Sequence, residues 1–296
     1  MAIVQATPSI ISMDFGNGRD DSHFRIRSGH KVKYITILPR TLSVDTLDDM
    51  PLDFEAILPP LDYGGDGWTH ASVFRDAQTG ELAASLSSPT MAGVESVWHP
   101  EMIDMMDLDK IKTWSMLVQL CRYHPSSSSS LSSHVDQDEA GAATATVAGP
   151  TTRVVVAKMA RFEWEVAYIE GETRGYKLLE GTGLAPRFLG HIHEGGRVMG
   201  VLLELLEGGR PAGVEDLAAC SEALGRLHAM GILHGDTNRH NFLVFPGGGG
   251  DGGKKVVILD FEKHKEGASR DELDAEMEGL KAQLEEETGR GAGFPR

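Results

Sequence analysis

Two short stretches constrain this chain more than any others: "GILHGDTNRHNFLV" at 231–244 and "KVVILDFE" at 255–262. The first sets polar groups able to move protons or hold metal between two apolar ends. The second is a β-branched apolar run that stops abruptly at Asp260. Such runs fit a pleated, buried surface. Between them, "PGGGGDGGKK" has neither the spacing of a Walker loop nor a helix after it, and reads as a flexible hairpin tip. The resulting order is Asp236, Asn241 five residues on, a short hairpin, then Asp260 followed by Phe.

Patterning elsewhere supplies the frame. "HFRIRSGHKVKYITIL" and "ASVFRDAQTGELAASL" each read as two extended runs around a Gly-containing turn, and "TWSMLVQLCRY" has short β-type alternation. The first part of the chain therefore reads as mostly strand and loop, and Trp98-His99-Pro100 carries no chemistry of its own. Residues 124–150 are rich in Ser, Ala and Gly without an apolar period, which predicts a disordered insertion. "TTRVVVAKMA" predicts a strand, and "EWEVAYIEGETRGYKLLEGTG" predicts a helix stopping near Gly183. Two further strands, "RFLGHIH" and "RVMGVLLELLEGG", precede a helix whose Leu217, Cys220, Leu224 and Leu227 share one face, continued by Met230. Ser269 and Glu272 form a capping box for a last helix striped by Leu273, Met277, Leu280 and Leu284. The acidic run Glu285 to Glu287 is its solvated end.

Composition narrows the partners. With 28 Lys plus Arg against 44 Asp plus Glu, the net charge is −16, which disfavours nucleic acid and anionic membranes. The two cysteines, Cys121 and Cys220, cannot build a disulfide framework and fit a reducing compartment. No window approaches the apolar length of a membrane span, and the opening residues do not form a signal peptide. A cytoplasmic or nuclear protein is expected.

Phosphoryl transfer from a nucleotide needs a divalent metal held by hard oxygens and a carboxylate that orients the accepting hydroxyl. Asp236 can supply that carboxylate, while Asn241 and Asp260 can supply metal ligands. In these residues the chain resembles the protein-kinase-like superfamily. "HGDTNRHN" is closer to the loop of aminoglycoside phosphotransferases and small atypical kinases than to that of conventional protein kinases, and "LDFE" stands where the latter have D-F-G. The chain also looks like fungal kinase-like proteins of unassigned substrate.

The resemblance covers roughly residues 153–262 and implies an α+β, two-lobed kinase-like fold. A strand-rich small lobe would span 111–206 and a minimal helical large lobe 207–296, with 1–110 as a strand-rich extension packed on the small lobe. It implies Lys158 of "VVVAK" as the phosphate-binding lysine and Glu172 as its partner, with Glu170 the alternative. It places a hinge around Glu204 to Leu206, where backbone groups would meet an adenine edge. The implied cofactors are ATP and Mg2+, and the acceptor would be a hydroxyl of a protein or small molecule.

The departures are equally specific. No G-x-G-x-x-G precedes Lys158 at hairpin distance; "YGGDGW" lies about ninety residues upstream. Asn238 stands two residues after Asp236, where conventional kinases carry lysine, and only 34 residues follow Glu262. A pseudokinase that binds nucleotide without turnover is therefore the alternative reading, and an ATPase switch a third. His234 is expected to pack behind the loop, not to act as a base. His191 and His193 share a strand face, but no carboxylate or cysteine joins them to make a zinc site.

Overall fold

The computed structural model describes residues 7–124, 152–247 and 253–293. It is an α+β structure that divides into two compact units, Met1–Ala92 and Gly93–Arg296.

In the first unit the strands are β1 (Ser9–Asp14), β2 (Ser22–Ser28), β3 (Lys31–Ile37), β4 (His70–Arg75) and β5 (Leu82–Ser87), paired in that order. All pairs are antiparallel except β3 with β4. A parallel pair needs a crossover, and helix α1 (Val44–Ile57) provides it. This helix is the one element of the first unit that the mostly strand-and-loop reading did not name. Ser43 Oγ accepts from the Thr46 N–H at 3.2 Å, and Leu47, Met50 and Phe54 bury against Phe24, Ile26, Ile35 and Val73. Pro51 and a break at Asp53 (φ −148°) interrupt the periodicity that would have announced it. Tertiary burial, at about 1.5–3 kcal/mol for each large apolar side chain, outweighs the local breakers.

The second unit begins at Gly93. Its main sheet contains β6 (Met102–Asp104), β7 (Leu108–Thr113), β8 (Val118–Tyr123), β9 (Arg153–Met159), β10 (Phe188–Glu194) and β11 (Arg197–Glu204), in spatial order β6-β10-β11-β9-β8-β7. Residues of period two divide its faces. Met199, Val201 and Leu203 join a core with Ile169, Tyr176 and Leu179 of helix α2 (Val166–Leu179). Val155, Ala157 and Leu202 face Ile103 and Tyr123 on the other side. Tyr123 pairs with Arg153, so the expected insertion leaves and re-enters the sheet at neighbouring points. Apart from His124 that insertion lies outside the described residues, as does the tip at 248–252.

The remaining elements are β12 (Arg210–Pro211), α3 (Leu217–Ala229), β13 (Ile232–Leu233), β14 (Phe242–Phe245), β15 (Lys255–Ile258), β16 (Lys265–Glu266) and α4 (Arg270–Glu285). The antiparallel β14–β15 pair sets Phe242 opposite Ile258, with β12 beside β14, and β13 pairs with β16. Cys220, Leu224 and Leu227 of α3 and Leu280 and Leu284 of α4 complete the same core as α2. The Ser269–Glu272 capping box opens α4. No helix among the described residues is long and apolar enough to cross a membrane.

Candidate functional site

Lys158 sits in β9 between Val201 of β11 and Val118 of β8. Its Nζ donates to Glu172 Oε2 at 3.0 Å and to Asp260 Oδ1 at 2.5 Å, and Glu262 Oε2 lies 3.5 Å away. One buried ammonium thus faces three carboxylates. Burial works against its charge, but Glu172, Asp260 and Glu262 overcome that cost and hold the Lys158 pKa above the ordinary value. Burial dominates at Glu172, which is pushed up to about 7 despite the opposing pull of Lys158.

Two glycines on α2 make this cluster. A Cβ on Gly171 would stand 2.4 Å from the Glu262 carbonyl oxygen, and one on Gly175 would stand 2.4 Å from Phe261 Cβ. The helix therefore presents a bare face, and the Phe261–Glu262 backbone lies directly on it. Glu170 serves a different purpose. Its carboxylate accepts from the Glu95 and Ser96 N–H groups at 2.8 and 3.2 Å and from Ser96 Oγ, which clamps the segment before β6 onto α2.

That segment continues into Trp98 and His99, whose N–H groups donate to His191 Nε2 at 3.1 and 3.3 Å, while the Trp98 indole N–H donates to the Thr173 carbonyl. Trp98-His99 is thus a structural wrap. Among the described residues His191 has no acidic partner in contact, and burial lowers its pKa to about 4. His193 Nδ1 accepts from the Gly196 N–H, so the two histidines have separate duties.

Asp260 has a left-handed backbone, φ +66°. Such a conformation is uncommon outside glycine, with Asp among the residues that tolerate it, and strain of this kind clusters at functional sites. Behind it, His234 is buried. Its Nε2–H donates to the Leu259 carbonyl at 2.9 Å, and its Nδ1 accepts from the Asp236 N–H at 3.2 Å. Burial lowers its pKa, so the neutral ring joins the polar loop to the end of the Asp260 strand. Asn241 adds a second tie: its carbonyl accepts from the Leu259 N–H at 2.8 Å, and its Nδ2 donates to the Asp236 carbonyl at 2.9 Å.

Asp236 is surrounded by donors. Lys263 Nζ reaches Oδ2 at 2.8 Å, and Asn238 Nδ2 and Arg290 NH2 reach Oδ1 at 3.0 and 3.1 Å. Burial opposes ionisation, but these partners hold its pKa below the ordinary value. Glu276 of α4 braces the loop from beneath, accepting from the N–H groups of His234 and Gly235 at 3.0 and 2.7 Å. Sequence reading missed Glu276, which sits among surface acids, and Lys263, which belongs to no motif. The Gly171–Gly175 spacing was a visible signal, because two glycines four apart weaken a helix unless something packs on them.

A cavity of about 390 Å³ opens at this cluster. The turn Ser115–Leu117 between β7 and β8 forms one wall, Lys158, Asp260 and Glu262 another, and Ala292 with Gly293 a third. The expected hinge follows β11. Glu204 is the last residue of that strand, its N–H donates to the Arg187 carbonyl and its carboxylate accepts from the Arg187 N–H, while Leu206 lies beyond the strand.

No curated protein matches the chain. A family model described as "Kdo: Lipopolysaccharide kinase (Kdo/WaaP) family" matches residues 212–290. Lys158 and Glu172 lie before that span, whereas Asp236, Asn241, Asp260, Lys263 and Glu276 lie within it. Over the part of the chain that carries the polar loop and the Asp260 strand, this protein is therefore similar to a kinase family.

Proposed function

We propose that residues 93–296 form a two-lobed kinase-like phosphotransferase that moves the γ-phosphoryl group of ATP to a hydroxyl of a protein or small molecule. The observation that carries this reading is Lys158, paired at once with Glu172 of α2 and with Asp260, two residues past β15. Three carboxylates around one ammonium leave an excess of negative charge that a structural ion pair has no need of. A divalent cation would relieve it.

The donor set fits magnesium. Asp260 is partly exposed, with 37% of its side chain accessible, and Asn241 has its amide nitrogen committed, which leaves the amide oxygen for a ligand. Magnesium favours one or two protein oxygens shared with substrate phosphates, and among the described residues no group of three or more His, Cys, Asp or Glu could hold a metal by itself. When bound, magnesium would neutralise charge on the phosphates. Lys158, steadied by Glu172, would bind the phosphates beneath the Ser115–Leu117 turn, which stands in for the missing glycine-rich loop. Backbone groups from Glu204 to Leu206 would meet the adenine. Asp236 would orient the acceptor hydroxyl and take its proton, so that catalysis consists of positioning and charge neutralisation.

One observation favours a second reading, a pseudokinase that binds nucleotide without turnover: Asp236 is already engaged by Lys263 and Arg290. Calorimetry with ATP in the presence and absence of magnesium, paired with a phosphate-release assay, decides. The expected result is magnesium-dependent binding and slow release. Asp260→Asn should lose magnesium-nucleotide affinity, and Asp236→Asn should keep it while losing turnover. Binding without turnover in the wild type supports the second reading; no binding at all sinks both.

A further inference from the structure

Resting on the phosphotransferase reading, we propose that Lys263 is a catalytic residue that supplies the positive charge accompanying the phosphoryl group from nucleotide to acceptor. The polar loop lacks this charge where it is needed. Between Asp236 and Asn241 its sole arginine or lysine is Arg239, whose Nε donates to the Ala212 carbonyl at 3.0 Å, and Asn238 spends its amide on Asp236. Lys263 approaches instead from the turn between β15 and β16. Its Nζ stands 2.8 Å from Asp236 Oδ2, and it also feels the charges of Glu262 and Asp260. Its ammonium thus contacts the carboxylate proposed for the acceptor, and its backbone follows the one proposed for the metal by three residues.

The position is built. Gly235 has φ +82°, and a Cβ there would stand 2.5 Å from the Lys263 carbonyl oxygen, so the two backbones touch. Leu233 pairs with Lys265, the His264 N–H donates to the Phe261 carbonyl, and Glu276 fixes the Gly235 N–H from below. The backbone is held while the side chain stays 54% exposed. That is the arrangement expected of a cation that must follow a moving group.

In the transfer, the acceptor oxygen forms a bond to the γ-phosphorus as the bond from that phosphorus to the bridging oxygen breaks, and the bridging electron pair stays with ADP. The acceptor proton passes to Asp236. Neutralised, Asp236 loosens its hold on Lys263, which keeps its own protons and donates hydrogen bonds to the equatorial phosphoryl oxygens, where charge is spread in the transition state.

The test is binding of magnesium-ADP alone and with fluoroaluminate, a planar mimic of the transferring group, to the full chain and to Lys263→Ala, Lys263→Arg and Arg290→Ala. Lys263→Ala should bind magnesium-ADP within about twofold of wild type but lose on the order of 100-fold in the fluoroaluminate complex. Lys263→Arg should recover most of that loss, which a merely structural role would not produce. Equal fluoroaluminate affinity in wild type and Lys263→Ala overturns the proposal, as does a loss confined to Arg290→Ala. If Lys263→Ala does not fold, failure of the folded Lys263→Arg to bind the mimic better than Lys263→Gln overturns it instead. Wild type that binds no magnesium-ADP refutes the underlying phosphotransferase reading, an outcome distinct from all of these.

Discussion

Each unit buries one lysine, and the two are satisfied in opposite ways. Lys33 of the first unit donates to the Gly65 carbonyl at 2.7 Å and to the Trp68 carbonyl, and lies 4.7 Å from the Trp68 ring centre. Burial lowers its pKa, with Lys31 adding to the effect against Asp66 and Asp62. Lys158 of the second unit is surrounded by carboxylates and its pKa is raised. Carbonyl dipoles and an aromatic face complete the first site. The second has more negative charge than its ammonium can use. Burial of a charge does not mark a functional site; imbalance around it does.

Truncating both lysines breaks the comparison most severely. Lys158→Met strands three carboxylates around an apolar side chain and should cost about 3–5 kcal/mol. Lys33→Met leaves two carbonyls without their donor and should cost about 1–3 kcal/mol. Denaturant melts measure both, and millimolar magnesium should restore part of the loss in the first variant and none in the second. Equal responses to magnesium would remove the distinction between the sites.

A smaller effect tests what packs the carboxylates around Lys158. Gly175→Ala places a methyl 2.4 Å from Phe261 Cβ and should cost about 1–3 kcal/mol through overpacking. Gly279→Ala, on α4 with nothing within 4 Å of the new methyl, should stabilise by up to about 1 kcal/mol through helix propensity. The same chemical change thus has opposite signs on two helices, readable as opposite shifts in melting temperature.

An effect that shows only in acid adds a third buried base. His191 has a folded pKa of about 4 against an ordinary 6.5, and the charged or titratable groups acting on it are His99 and Glu170. Between those pH values the unfolded chain binds a proton that the native state refuses. Its contribution to stability is therefore whole above about pH 6.5 and is lost as pH falls toward 4. His191→Gln, whose amide oxygen can still accept from Trp98 and His99, should flatten the acid limb by up to about 1.4 kcal/mol per pH unit. An unchanged acid limb would show that the ring is already protonated in the fold.

What was legible in the sequence was local. The Lys158 strand, helix α2, the face of α3, the β14–β15 hairpin and the Ser269 cap all follow from short-range period and capping chemistry. The ion pair of Lys158 with Glu172 was expected as one of two choices, because helix phase cannot be fixed to within two residues. The partners hidden from view act over long separations: Glu170 on Ser96, His191 on Trp98, Glu276 on Gly235. None of these contacts leaves a periodic trace. Helix α1 was hidden for another reason, since Pro51 masks a helix whose stability comes from the sheet beneath it.

The bare face of α2 limits how this site can be controlled. With Phe261 and Glu262 seated on Gly171 and Gly175, the helix that carries Glu172 is packed against the segment that carries Asp260. Swinging the helix outward to break the Lys158 pair would drag the strand end with it or expose Phe261, which is fully buried, to water. Separating the lysine pair therefore carries the added cost of uncovering Phe261. Ala292 and Gly293 wall the same cavity, so access to Lys158 and Asp260 depends on where that segment lies.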